Sequence, residues 1–183
     1  MDKRTLGFLA ALGATVIYGL NHTIAKNVMP TYISPFGFIL LRVIGAAILF
    51  WTVSFFMSTE KIQKKDWPRL IACSFLGMVI NMLAFFKGLE LSTPVNSSVI
   101  ITISPIIVFI FSAILLKEKI QFIKSIGIVS GFIGAVVLVL YSSKTGFNAP
   151  NIPLGNVLFI VNSFAYGLYL VLVKPLIEKY NII

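Results

Sequence analysis

The chain has 183 residues, of which 58% are hydrophobic and only 11% charged, and its formal net charge is +9. A water-soluble domain carries about 25% charged residues, so this composition excludes one and indicates a membrane protein. The positive charge does not point to nucleic acid, because the basic residues sit between apolar runs, and a single cysteine, Cys73, excludes an internal disulfide.

Apolar runs over Leu6–Val28, Pro35–Met57, Leu70–Leu91, Pro94–Leu116, Phe122–Tyr141 and Leu154–Val173 each approach the roughly 20 residues a helix needs to cross about 30 Å of hydrocarbon. The sequence therefore predicts an all-α, polytopic membrane protein with six spans. The runs are apolar on every face, not alternately, which excludes a β-barrel. Short connections leave no room for a soluble domain, so function must reside within the helices.

The first span follows the basic start MDKR but is too long for the apolar core of a cleaved signal, and further spans follow at once, so it is retained. In its second half Tyr18, His22 and Ala25 share one helix face, with Asn21 beside them. That face is a candidate cavity lining. His22, the only histidine, titrates near neutral pH and would either couple transport to protons or serve as a hydrogen-bonded packing residue.

The second span carries Arg42, about 10 Å inside its end at Pro35. A charge at the centre of a span costs about 2.5–3.5 kcal/mol on insertion scales and needs compensation. Three compensations are open: a substrate carboxylate or phosphate, snorkelling outward, or a pair with Glu90. Lys61, Lys64, Lys65 and Arg69 then form a basic loop that reads as a topology signal and an anionic-lipid contact.

Asn81 and Phe85 offer an amide and an aromatic face midway along the third span, either as pocket residues or, for Asn81, as an interhelical hydrogen bond. Gly88 lies near that span's end. In the fourth span Asn96, Ser98, Thr102 and Ser104 precede Pro105, which removes a backbone hydrogen bond and predicts a kink. The hydroxyls would either satisfy freed carbonyls or, with Ser98, Thr102 and Pro105 on one face, line a polar path beside a gate. Gly127 and Gly131 in the fifth span form a G-x-x-x-G pattern for close helix packing or a dimer seam.

The sixth span repeats the first. Tyr18–Lys26 reads YGLNHTIAK and Tyr166–Lys174 reads YGLYLVLVK, 148 residues further on, and Gly7 and Gly155 match at the same offset. Five spans separate the copies, so the second enters the membrane from the opposite side. Basic residues agree: Lys3, Arg4, the Lys61–Arg69 cluster, Lys117, Lys119, Lys124, Lys174 and Lys179 fall on one side, against Lys26, Lys87 and Lys144 on the other. By the positive-inside rule the N-terminus is cytoplasmic. Oppositely oriented copies are a device of secondary transporters, whose central site opens to one side and then the other. A full second copy would end near residue 296 on that inverted-repeat logic, so the chain reads as a fragment of a protein of roughly 300 residues.

The stretch GLELSTPVNSSVIITISPIIVFIFSAILLKEKIQFIKSIGIVSGFIGAVVLVL, with Pro105 in mid-span, Glu118 in a short basic loop, and then Gly127, Gly131 and Gly134, resembles the end of an EamA domain of the drug/metabolite transporter superfamily. Tyr18-Gly19 is similar to the Trp-Gly of many members, and Arg42 to a recurrent Arg. The resemblance covers essentially the whole chain, as a five-helix repeat over 1–146 and the loop and first helix of an incomplete second repeat over 147–183. It implies ten spans in two such domains and export of amino acids or similar small metabolites. The chain departs from the pattern in length and in having Tyr for Trp.

The expected protein is a secondary transporter of a small polar metabolite, working by alternating access in the plasma membrane of a prokaryotic cell. Its partners are the substrate and the bilayer, with a homodimer or a missing second half to complete it. Lys26, Arg42 and Lys87 outnumber Glu90 near the outer face, which favours an anionic or zwitterionic cargo. No ATP-binding motif, nucleophile–base pair or metal-ligand cluster occurs, so no enzyme, cofactor or metal is expected. The rival reading is a truncated half-transporter acting as a non-transporting or dimer-dependent membrane scaffold.

Overall fold

The computed structural model describes residues 2–56, 62–117, 122–140 and 148–180, and among these every regular element is helical. The helices are α1 (Lys3–Val28), α2 (Pro35–Ser54), α3 (Trp67–Ser74), α4 (Asn81–Leu91), α5 (Pro94–Ile101), α6 (Ser104–Leu115), α7 (Phe122–Leu140) and α8 (Ile152–Lys179). Lys61, Glu118, Lys119, Lys144 and the expected span ends Met57 and Tyr141 lie outside the described residues.

Among the described residues five stretches are long and apolar enough to cross a bilayer: Arg4–Val28, Pro35–Ser54, Lys64–Leu91, Pro94–Leu115 and Ile152–Lys179. The remaining expected span is helical over Phe122–Leu140, with a shorter apolar stretch at Ser125–Gly134. Within Lys64–Leu91, α3 passes into α4 through a π-helical stretch, Phe75–Ile80. Such a wide turn shifts side-chain register and is frequent at functional sites.

Three helices start with the same local chemistry. Ser34 accepts from Gly37 N at 3.2 Å ahead of Pro35, Thr93 accepts from Asn96 N at 3.1 Å ahead of Pro94, and Asn151 accepts from Leu154 N at 3.1 Å ahead of Pro153. Each cap satisfies an orphan amide, and each Pro sits where its missing N–H is not needed. Pro105 produces the expected break, since the fourth span divides at Thr102–Ile103 into α5 and α6. There the hydroxyls turn back on the chain: Ser98 Oγ donates to Pro94 O at 2.9 Å and Thr102 Oγ1 to Val99 O at 2.6 Å.

The copies of the repeated phrase run in opposite directions. The C-terminal end of α1 meets the C-terminal end of α4 through Lys26, while the N-terminal approach to α8 meets that same end through Asn151 N, 3.0 Å from Leu91 O. All these ends lie at what is termed the far end. Arg4, Lys64, Lys65 and Lys179 mark the opposite, basic end.

Helix α8 is the centre of the bundle, in contact with α3, α4, α5, α6 and the π-helical stretch. Small residues permit this. A Cβ on Gly155 would lie 2.5 Å from Ser92 Cβ and 2.8 Å from Gly88 O, and one on Gly167 would lie 2.6 Å from Ile107. Close backbone approach through small residues is how membrane helices gain packing without a hydrophobic drive from water. Among the described residues no atom comes within 4 Å of a Cβ added at Gly127 or Gly131. The packed core sits at the far end, where Ala25, Met29, Phe85, Phe86, Leu89 and Phe159 are buried together.

Candidate functional site

The core determines where a cavity can form. Toward the far end α1 and α2 lean on α4 and α5, whereas toward the basic end they stand apart from α3 and α8, leaving a cavity of about 1330 Å³. Its walls run from Ile62 and Tyr180 at the basic end to Arg42, Phe85 and Phe86. Beyond these the core closes the path.

The closing layer is aromatic. Tyr18 and His22 rings lie 4.5 Å apart, His22 and Phe85 4.9 Å, Phe85 and Phe86 5.0 Å, and Phe38 and Phe86 5.1 Å. Such spacings are those of offset and edge-to-face ring packing. Arg42 lies against this layer on the cavity side, its Cζ 5.2 Å from the Phe86 centroid and 5.9 Å from that of Phe38. Its Nη1 donates to Asn21 Oδ1 at 3.0 Å, joining α2 to α1.

Of the expected site residues, Tyr18, Asn21, Arg42, Asn81 and Phe85 line the cavity. His22 is buried behind Tyr18, its Nε2 without a hydrogen-bond partner among the described residues. Asn96, Ser98 and Thr102 lie elsewhere: Asn96 Nδ2 donates to Ser92 Oγ at 3.2 Å and Asn156 Oδ1 at 3.3 Å, tying the start of α5 to α8. Pro105 borders a second, smaller recess beside Tyr166.

The α8 wall was not foreseen. Asn162, Tyr166 and Tyr169 line the cavity opposite Ala14, Tyr18 and Asn21, and each stands 148 residues after its counterpart. Three repeat-related pairs thus face one space. Asn162 Nδ2 donates to the Asn81 carbonyl at 2.9 Å, and Tyr169 packs on the π-helical stretch, where a Cβ on Gly77 would lie 2.7 Å from its ring.

The other far-end charges among the described residues, Lys26, Lys87 and Glu90, are engaged. Lys26, only 5% exposed, donates to the carbonyls of Leu89, Glu90 and Ser92 at 2.7, 3.0 and 2.7 Å. It caps α4, where helix carbonyls lack partners and the dipole favours a cation. Lys87 pairs with Glu90, so Glu90 does not compensate Arg42. At the basic end Asp66 holds Lys179 and accepts from Tyr180 Oη at 2.6 Å, clasping α8 to the start of α3.

A family described as the EamA-like transporter family matches residues 5–140. An uncharacterized transporter of Archaeoglobus fulgidus is 32% identical over 171 residues, covering 93% of this chain and 58% of that protein. The uncharacterized transporter YyaM of Bacillus subtilis is 24% identical across 93% of this chain and 56% of its own length. An uncharacterized transporter of Methanothermobacter thermautotrophicus is 25% identical across 99% and 57%. The chain therefore spans a little over half the length of these curated relatives. No solved structure matches it.

Proposed function

The chain belongs to the EamA-like transporter family, and from that membership we propose that it moves a small polar metabolite across the membrane by alternating access. The observation carrying this reading is the cavity itself, open toward the basic end and closed at the far end by the Phe38, Phe85 and Phe86 layer. This is one half of an access cycle. The other half requires α1 and α2 to swing as an arm, parting the aromatic layer while the basic end closes.

Residues 1–146 act as the first five-helix unit and 147–183 supply the first helix of a second. The basic end faces the cytoplasm, as the positive-inside rule directs, in the plasma membrane of a prokaryotic cell. Amino acid export is the first activity to measure, because the family resemblance implies it. The test is counterflow of labelled amino acids and other small metabolites in proteoliposomes: saturable exchange supports a carrier, and none with any candidate sinks it.

A further inference from the structure

We infer that the cavity selects a cargo bearing one carboxylate and no compensating positive charge on an apolar body, held through Arg42. The inference rests on the carrier reading for its setting but stands on the charges around the cavity. Among the described lining residues Arg42 is the one ionised side chain, and no Asp or Glu lines the space. Among the described residues the excess of basic groups near the far end reduces to this guanidinium, because Lys26 is consumed by three carbonyls and Lys87 by Glu90.

Arg42 has room for a ligand. A guanidinium carries five N–H donors, and the protein acceptor found for it among the described residues is Asn21 Oδ1. The Phe38 and Phe86 faces solvate its charge only partly, since cation–π contacts contribute about 0.5–2 kcal/mol. A carboxylate offers the bidentate geometry that a guanidinium matches.

The same count argues against other classes. A phosphate monoester carries about −1.5 to −2 charge at neutral pH, which one cation does not balance. An amine would meet Arg42 with no carboxylate nearby. A zwitterion places its ammonium among amides and phenols, where Asn81, Asn162, Tyr166 and Tyr169 offer neutral acceptors but no countercharge. The rest of the wall, including Met78, Met82, Leu170 and Val173, suits an apolar body.

The test uses three ligands of one shape: 3-phenylpropionate, phenylalanine and phenethylamine, with inorganic phosphate beside them. Binding is read on the purified full chain in nanodiscs by scintillation proximity, which does not require translocation. Saturable binding of 3-phenylpropionate, at least tenfold tighter than phenethylamine and phosphate and no weaker than phenylalanine, is expected. Arg42→Gln should weaken it at least tenfold. Equal binding of the amine, binding of phenylalanine alone, binding of none of them, or an unchanged affinity in Arg42→Gln would each overturn the inference. The wild-type ligand comparison holds even where the variant misfolds. Counterflow separates the two readings: bound carboxylate without exchange sinks the carrier and leaves the site, whereas exchange of amines without carboxylate binding sinks the site and leaves the carrier.

Discussion

Lys26 on α1 reaches across to α4 and places its ammonium 2.7 Å from the carbonyl oxygen of Leu89, so the far end of α1 is pinned to α4 by a charge-assisted cap. Hydrogen bonds to charged groups contribute about 1.5–3 kcal/mol in soluble proteins, but interhelical bonds in membranes average about 0.6. Lys26→Met is therefore expected to destabilise the fold by at least about 2 kcal/mol, the sum of three bonds at the membrane average. The measurement is the unfolding midpoint in mixed detergent; an unchanged midpoint would show that water replaces the ammonium without loss.

The glycines of the two phrase copies separate packing from mere recurrence. Gly155→Ala puts a methyl against Ser92 Cβ and the Gly88 carbonyl, and overpacking of this kind costs about 1–3 kcal/mol. At Gly7 a Cβ meets open space, and the better helix propensity of Ala gives a gain of up to about 1 kcal/mol. Opposite signs are thus expected for one substitution at two repeat-related positions. Paired unfolding curves decide it.

Arg42→Ala is expected to abolish exchange in proteoliposomes while leaving membrane insertion intact, because the span stays apolar without the charge. Flux at the wild-type level would reduce Arg42 to an anchor for Asn21 and the aromatic layer.

Much of this arrangement was readable in the residues. Span positions follow from apolar run length, the α5–α6 break from Pro105, and the opposed directions of α1 and α8 from the parity of spans between the two phrases. Tyr18, Asn21 and Arg42 stood out as polar groups in apolar runs, and all three line the cavity. His22 stood out equally yet lies behind the wall, because one helical step past Asn21 turns it into the core. Lys26 looked like an outward charge, and its role as a cap depends on where α4 ends in space. The α8 wall was missed although its signal was present: carrying Ala14, Tyr18 and Asn21 forward by 148 residues gives Asn162, Tyr166 and Tyr169. On Lys64–Leu91 the sequence singled out Asn81 and Phe85, which line the cavity, but not Cys73, Ser74 and Gly77 before them, because the π-helical stretch shifts the register that a 3.6-residue period assumes.

The arm-and-body reading fixes which distances change. Val53 on α2 and Ile177 on α8 border the cavity from opposite sides at the basic end, whereas Arg69 on α3 and Glu178 on α8 belong to one body clasped by Asp66 with Lys179 and Tyr180. If access alternates, the basic end must close as the aromatic layer parts. With Cys73 replaced by Ala and spin labels at residues 53 and 177, pulsed dipolar spectroscopy is expected to give two distance populations, the shorter one gaining when a transported ligand is added. Labels at 69 and 178 should give one unshifted distance. Domain closures of this kind occupy microseconds to milliseconds, so both populations are trapped on freezing. A single 53–177 distance, unmoved by ligand that binds, would mean that the arm does not swing, and the cavity would then be a fixed cleft.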